Sequence, residues 1–253
     1  MIDEETLRKL EQMSLPAMAD ALRETLAKPG QDLSFSERVG LIVDREWMAR
    51  ENRKLSRLLR AAKLGTDACL EDVLCTTERG LSKAVIRELG TGRWIHDKLN
   101  VIVTGKTGSG KSYLGAALAQ SACRAGHRSL CARVPRLLNE LAIARADGSY
   151  AKLLAKLAKI EVLVLDDFLI APLKDAEHRD LLEVLEDRYG KCSTVVTSQV
   201  PTAKWHAGIP DPTIADAICD RLVHNAHVLA LAGPSLRRAT ASGTKKNSQQ
   251  PIT

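Results

Sequence analysis

The spacing of apolar positions changes near residue 98, and the change divides the chain into two kinds of structure. Up to about residue 64 apolar residues recur every three or four positions, which predicts helices. A first helix is expected over about 3–12. A second follows Ser14, with Pro16 tolerated in its first turn, and stops at Pro29-Gly30. A third starts near Ser34, where Ser34 and Glu37 have capping-box spacing, and runs to about Lys63, just before Gly65. Residues 65–98 offer only short helical pieces, at Leu70–Leu74 and Lys83–Leu89.

Beyond that point short apolar runs alternate with longer helical patterns. Strands are predicted at Val101–Thr104, Ser129–Val134, Val162–Leu165, Thr194–Thr197 and Val228–Leu231. Helices are predicted at Lys111–Ala125, from about Pro135 to Lys159, at Ala176–Tyr189 and over about 213–224. Strands that are apolar throughout and separated by helices argue for an α/β fold with a parallel sheet covered on both faces. The expected organisation is a helical domain over 1–64, a connector over 65–98, an α/β core over 99–238 and a Ser/Thr/Lys/Gln-rich tail over 239–253, expected to be disordered.

The first strand runs into Gly105-Lys106-Thr107-Gly108-Ser109-Gly110-Lys111-Ser112, a full G-x-x-x-x-G-K-[ST] octet, and an Ala-rich helix follows. Glycines allow the backbone N–H groups to turn inward as an anion nest. The helix N-terminus adds its positive dipole end, close to Tyr113 in the same turn. Lys111 is placed to reach the β- and γ-phosphates of a nucleotide, and the Ser112 hydroxyl to bind Mg²⁺. Val162-Leu163-Val164-Leu165 ends in Asp166-Asp167. Asp166 suits the Mg²⁺ shell, and Asp167 suits orienting or polarising an attacking water. No NKxD-type guanine-reading motif is present, so ATP is the expected nucleotide.

Three further groups stand out. Thr197-Ser198-Gln199 closes the fourth strand, so Ser198 or Gln199 can sense a γ-phosphate, or the group is only a strand-ending turn before Pro201. Arg221, in Asp220-Arg221-Leu222, can reach a neighbouring subunit's γ-phosphate or form a surface ion pair with an acid such as Asp216. Arg237 and Arg238 are further candidates. Late in the third helix Arg50, Arg53, Lys54, Arg57 and Arg60 share one face, opposite Leu55, Leu58, Leu59 and Ala62. That basic face is either a solvated charge stripe or a contact surface for nucleic-acid phosphates.

Composition refines this only slightly. The 253 residues carry a formal net charge of +6, compatible with a polyanionic partner, and aromatics are only 3%, so the core must rest on Leu, Val, Ile and Ala. Cys69, Cys75, Cys123, Cys131, Cys192 and Cys219 form no CxxC pair or zinc-finger spacing, and buried reduced thiols are expected. The N-terminus has no signal-peptide pattern and no apolar run approaches the ~18 residues of a membrane helix, so a cytoplasmic protein with no membrane partner is expected.

Several stretches together resemble one family: GKTGSGKSYLGAALAQSACRAGHR, LLNELAIARADGS, VLVLDDF, LLEVLEDRYGKCSTVVTSQ and ADAICDRLVHNAHVLALAGPSLR, preceded by the basic REWMARENRKLSRLLRAAKL. The chain looks like an IstB-type ATPase, a transposition helper of bacterial insertion sequences related to the DnaC-like helicase loaders of the AAA+ class. The resemblance implies an AAA+ core behind a small helical domain, Walker A roles for Lys111 and Ser112, and Walker B roles for Asp166 and Asp167. It puts Ser198 and Gln199 in the sensor-1 segment and matches Arg221 to the arginine-finger position. It implies ATP-dependent self-association, double-stranded DNA binding and a cognate transposase. A replicative helicase loader and a P-loop small-molecule kinase are the alternatives. FLIAPLK after the acids departs from the family, which usually has a glycine there.

Overall fold

In the computed structural model, which describes residues 2–27 and 33–236, backbone proximity divides the chain into two units, Met1–Arg57 and Leu58–Thr253. The helices of the first stretch are α1 (Ile2–Gln12), α2 (Pro16–Ala27) and α3 (Phe35–Ala62). The capping box forms: Glu37 Oε2 accepts from the Ser34 amide at 2.7 Å, and Ser34 Oγ accepts from the Glu37 amide at 3.3 Å. The predicted stop at Pro29-Gly30 lies outside the described residues.

A buried acid organises the first unit. Glu46 is only 5% exposed, and its Oε2 accepts the Met18 amide at 3.1 Å, in the first turn of α2. A side chain of α3 thus satisfies a free amide that α2 cannot satisfy itself. Arg50 Nε at 3.0 Å and Arg53 Nη2 at 2.9 Å close on the same carboxylate. Burial alone would push the Glu46 carboxyl up. The Arg50 hydrogen bond, the Met18 amide and the Arg53 charge outweigh it and hold the group below its ordinary range.

Beyond α3 the second unit continues with turns rather than regular helix. Leu70–Asp72 and Thr77–Arg79 are single 3₁₀ turns, so the helical piece expected at Leu70–Leu74 is shorter than its apolar spacing suggested. Helix α4 (Lys83–Gly90) follows, capped by the Ser82 side chain, and then the short α5 (Arg93–His96), which the sequence did not signal. Then come β1 (Asn100–Gly105), α6 (Lys111–Arg124), β2 (Ser129–Arg133), α7 (Val134–Asp147), α8 (Tyr150–Ala158), β3 (Val162–Phe168), α9 (Asp175–Arg188), β4 (Ser193–Ser198), α10 (Pro212–Val223) and β5 (Ala226–Leu231). The helical stretch expected over 135–159 is two helices, because Gly148 adopts φ +79° and ends α7.

All described strand pairs are parallel, in the order β2-β3-β4-β1-β5. Strand residues alternate between two cores. Ile102, Leu163, Leu165 and Val196 pack with α7 to α10, while Val101, Val103, Val164 and Val195 pack with α6 and the connector. The sheet is therefore covered on both faces, the expected α/β arrangement. Arg188, 1% exposed, fastens one flank by donating to the carbonyls of Leu157, Ile160 and Ser193 at 2.7, 2.6 and 2.6 Å. Burial lowers its guanidinium to about 10. Of the six cysteines, which are all free, Cys123 alone is fully buried and the others are partly exposed, which corrects the expectation for most of them. No helix among the described residues is long and apolar enough to cross a membrane.

Candidate nucleotide site

Parallel strands bring their carboxyl ends to one edge, and that edge collects the chemistry. Strand β4 lies between β1, which carries the glycine loop, and β3, which carries the acids. The loop leaves β1 at Gly105 with φ +149°, where an added Cβ would collide with the Leu231 carbonyl oxygen. At Gly108, φ is +81° and a Cβ would collide with the Ser235 side chain. Both positions therefore require glycine. Helix α6 opens immediately, at Lys111. Lys111 is 7% exposed and its Nζ donates to the Lys106 carbonyl at 2.9 Å, so the ammonium is folded back over the loop.

A cavity of about 690 Å³ opens over this loop. Thr107, Gly108, Gly110, Lys111, Ser112 and Tyr113 line it from the loop side, and Asp166, Asp167, Arg133 and Gln199 from the strand ends. Ser112 contributes an exposed hydroxyl and Asp166 a half-buried carboxylate. Hard oxygen donors of this kind suit Mg²⁺, which keeps several waters and takes few protein ligands.

The two acids diverge because the strand is irregular there. The register between β3 and β4 shifts between Leu165 and Phe168, and Asp167 adopts φ +60°. A bulge of this kind re-aims side chains. Asp166 Oδ1 accepts the Thr197 hydroxyl, and the Thr197 Oγ1 accepts the Asp167 amide at 3.3 Å. The Asp167 carboxylate turns towards β2, where Arg133 Nε donates to Oδ2 at 3.0 Å and Nη2 donates to the same oxygen. The Asp167 hydrogen bond and charge hold the Arg133 guanidinium above its ordinary range. Leu169 follows at φ +53°, at a local cost of about 1–2 kcal/mol.

The structure separates the two strand-end candidates. Gln199 lines the cavity and its Oε1 accepts the Thr107 hydroxyl at 2.7 Å. Ser198 does not reach the cavity. It is fully buried, donates to the Phe168 carbonyl at 2.7 Å and accepts the Val200 amide at 3.1 Å. Its hydroxyl is taken up by these two bonds, so of Ser198 and Gln199 the expected catalytic or sensing Ser198 is the one that the structure keeps out of the cavity. Thr197 and Gln199, on either side of Ser198, bond groups of the site instead: Thr197 donates to Asp166 and Gln199 accepts from Thr107.

Arg221 is not brought to this site. The Asn100 side chain, at the start of β1, donates to the Arg221 carbonyl at 2.9 Å, so Arg221 lies by the amino end of the strand whose carboxyl end carries the loop. Six residues of strand place roughly 16 Å between those ends. Its guanidinium is paired with Glu186 at 2.5 Å, not with Asp216. Of the five basic residues on α3, Arg50 and Arg53 are committed to Glu46, and Lys54 lies 3.9 Å from Glu51. Arg57 and Arg60 are exposed and have no ion pair among the described residues. Leu55, Leu58 and Leu59 are half-buried and Ala62 is buried. Arg237 and Arg238 lie outside the described residues.

Sequence reasoning missed Arg133 and Thr197. The only available signals were position: one ends the strand beside the acids, the other stands two residues before Gln199.

A glycine loop between β1 and α6, with strand-end acids one strand removed, defines a P-loop NTPase of the AAA+ type. Solved structures share this fold. The crystal structure of DnaI has a TM-score of 0.57 at 22% identity, covering 70% of this chain and 94% of that one. AMPPCP-bound DnaA from Aquifex aeolicus has a TM-score of 0.58 at 15% identity, covering 75% and 58%. The chain belongs to the family described as IstB-like ATP binding protein, whose model matches residues 8–244. An insertion sequence ATP-binding protein of Sinorhizobium fredii, y4pL, is 48% identical over 239 residues, 94% of this chain and 98% of the relative. The corresponding protein of insertion sequence IS1162 from Pseudomonas fluorescens is 44% identical, covering 84% and 93%.

Proposed function

We propose that the protein is a magnesium-dependent ATPase that binds duplex DNA and assists the transposase of its insertion sequence. The observation that carries the reading is the convergence of Lys111, Ser112 and Asp166 on one cavity at the mouth of the glycine loop. The loop amides and Lys111 hold the triphosphate. Ser112 and Asp166 hold Mg²⁺, which neutralises phosphate charge when bound. Asp167 orients the attacking water once it leaves Arg133, and Gln199 stands beside Thr107 to follow the γ-phosphate. Catalysis is positioning and charge stabilisation without a covalent intermediate.

Arg221 acts on a neighbouring subunit. Its place by the amino edge of the sheet, away from its own loop, supports this role, and it requires exchange of Glu186 for a neighbour's nucleotide. Assembly with ATP then lines up the exposed basic residues of α3, Arg57 and Arg60 foremost, along DNA. The helical segment 1–64 is the DNA and partner module, and 99–238 the motor. The protein works in the cytoplasm.

The insertion sequence relatives at 44–48% identity favour a transposase partner over a helicase, since the likeness to DnaI and DnaA shows the fold alone. The test is ATPase activity with and without duplex DNA, and with the transposase encoded beside the gene. DNA stimulation together with transposase capture supports the reading. Turnover indifferent to DNA, with transfer of phosphate to a small molecule, replaces it with a kinase.

A further inference from the structure

The connector reaches the phosphate loop from behind with a buried arginine. Arg79 is 8% exposed, ends the 3₁₀ turn Thr77–Arg79, and its Nη2 donates to the Ser109 carbonyl inside the loop. A Cβ built on Gly110 would lie 3.1 Å from the same nitrogen. Its backbone is fixed as well, because the Arg79 carbonyl accepts the Ala232 amide at 3.0 Å as the chain leaves β5. The segment after β5 then returns to the loop, with the Leu236 amide donating to the Gly108 carbonyl at 2.9 Å.

What this cation lacks is a counter-charge. No carboxylate pairs with Arg79 among the described residues, and its Nε is buried with no hydrogen-bond partner. A buried guanidinium without an acid is unfavourable to the fold unless something else neutralises it. Of the other charged groups at the site, Asp167 is held by Arg133, Asp166 accepts from Thr197, and Lys111 is folded over the Lys106 carbonyl. An anion cradled by the same loop would supply the missing negative charge.

We infer that Arg79 is a positioning residue for nucleotide binding, whose charge beneath the glycine loop is matched by the polyphosphate above it. This rests on the nucleotide reading of the loop. The cation acts through the backbone it holds, without touching the ligand. It gives two readouts that a purely structural arginine would not. Its contribution grows with the charge of the ligand, so a triphosphate feels it more than a monophosphate. Its removal leaves the nucleotide-free protein about as stable as before, because an unpaired buried charge is removed with it.

The test compares wild type with Arg79→Met and Arg79→Lys in the full chain. Affinities for ATP and ADP are measured by calorimetry, that for AMP by competition, and the thermal midpoint without nucleotide is recorded. Arg79→Met is expected to lose ATP affinity about tenfold or more, AMP affinity less than threefold, and to keep its midpoint; Arg79→Lys is expected to retain ATP affinity within about threefold. Equal losses for ATP and AMP, or ATP affinity unchanged in Arg79→Met, overturn the inference. If Arg79→Met no longer unfolds cooperatively, Arg79→Gln, which keeps a donor for the Ser109 carbonyl and loses the charge, is judged by the same thresholds. Wild-type protein that binds no nucleotide sinks the nucleotide reading itself; wild-type binding with unaltered variants sinks only the role of Arg79.

Discussion

Asp167→Asn separates catalysis from structure at this site. In the wild type Arg133 grips the Asp167 carboxylate through Nε and Nη2, but Arg133 is 54% exposed and Asp167 17%. An ion pair so open to water contributes about 1 kcal/mol or less, so loss of the charge should lower the thermal midpoint by no more than about 2–4 °C. Asparagine keeps an oxygen for Arg133 and tolerates the φ of +60° that this position requires. Binding should also survive, because Lys111, Ser112 and Asp166 are untouched. Turnover is different: a group that orients and polarises water contributes about 10²–10⁴-fold. The assay pairs phosphate release at saturating ATP with calorimetric affinity for a non-hydrolysable ATP analogue. The reasoning predicts turnover reduced at least about a hundredfold with analogue affinity within about threefold of wild type. Turnover within threefold of wild type refutes it and moves the water-positioning role elsewhere, with Gln199, which also lines the cavity, the next group to replace.

Lys111→Ala should abolish ATP-driven assembly, seen as an unchanged native mass on adding ATP; normal assembly would detach oligomerisation from the nucleotide. Neutralising Arg57 and Arg60 should weaken duplex binding and reduce the slope of log affinity against log salt by about one for each phosphate left without its cation; an unchanged slope makes the stripe a solvated surface. Glu46 supplies a pH dependence. Its folded carboxyl lies below its ordinary 4.5, so its contribution is fully present above that value and is lost as pH falls through the lowered folded value. Circular dichroism should accordingly show part of the helix signal lost on acidification below about pH 4.5 in the wild type, and a flatter response over that range in Glu46→Gln; identical acid profiles would remove Glu46 from the role of organising acid.

How much of this was legible in the sequence depended on how local the cause was. The octet 105–112 carries its own geometry, since glycines at the positive-φ positions and a helix start are all the loop needs. Asp166-Asp167 were legible because four apolar residues in a row mark a buried strand, and acids placed right after it must emerge at its carboxyl end. The capping box was legible because its partners are three residues apart. What was hidden depends on contacts across the fold. Glu46 lies 28 residues from the amide it caps, Arg133 lies 34 from Asp167, and Arg79 lies 30 from the carbonyl it holds. The stripe on α3 was legible in its period but not in its pairing: Glu46, which takes up Arg50 and Arg53, sits one and two turns before them on the same helix. The choice between Ser198 and Gln199 was hidden too, because it turns on the Phe168 carbonyl, 30 residues away, that takes the Ser198 hydroxyl.

Titration calorimetry of ATP with and without magnesium, on the wild type and on Ser112→Ala, bears most directly on the site at the head of α6. The account predicts saturable one-to-one binding that magnesium tightens in the wild type and tightens far less in the variant. Binding of the same strength with and without the metal, or none at all in folded protein, would contradict it.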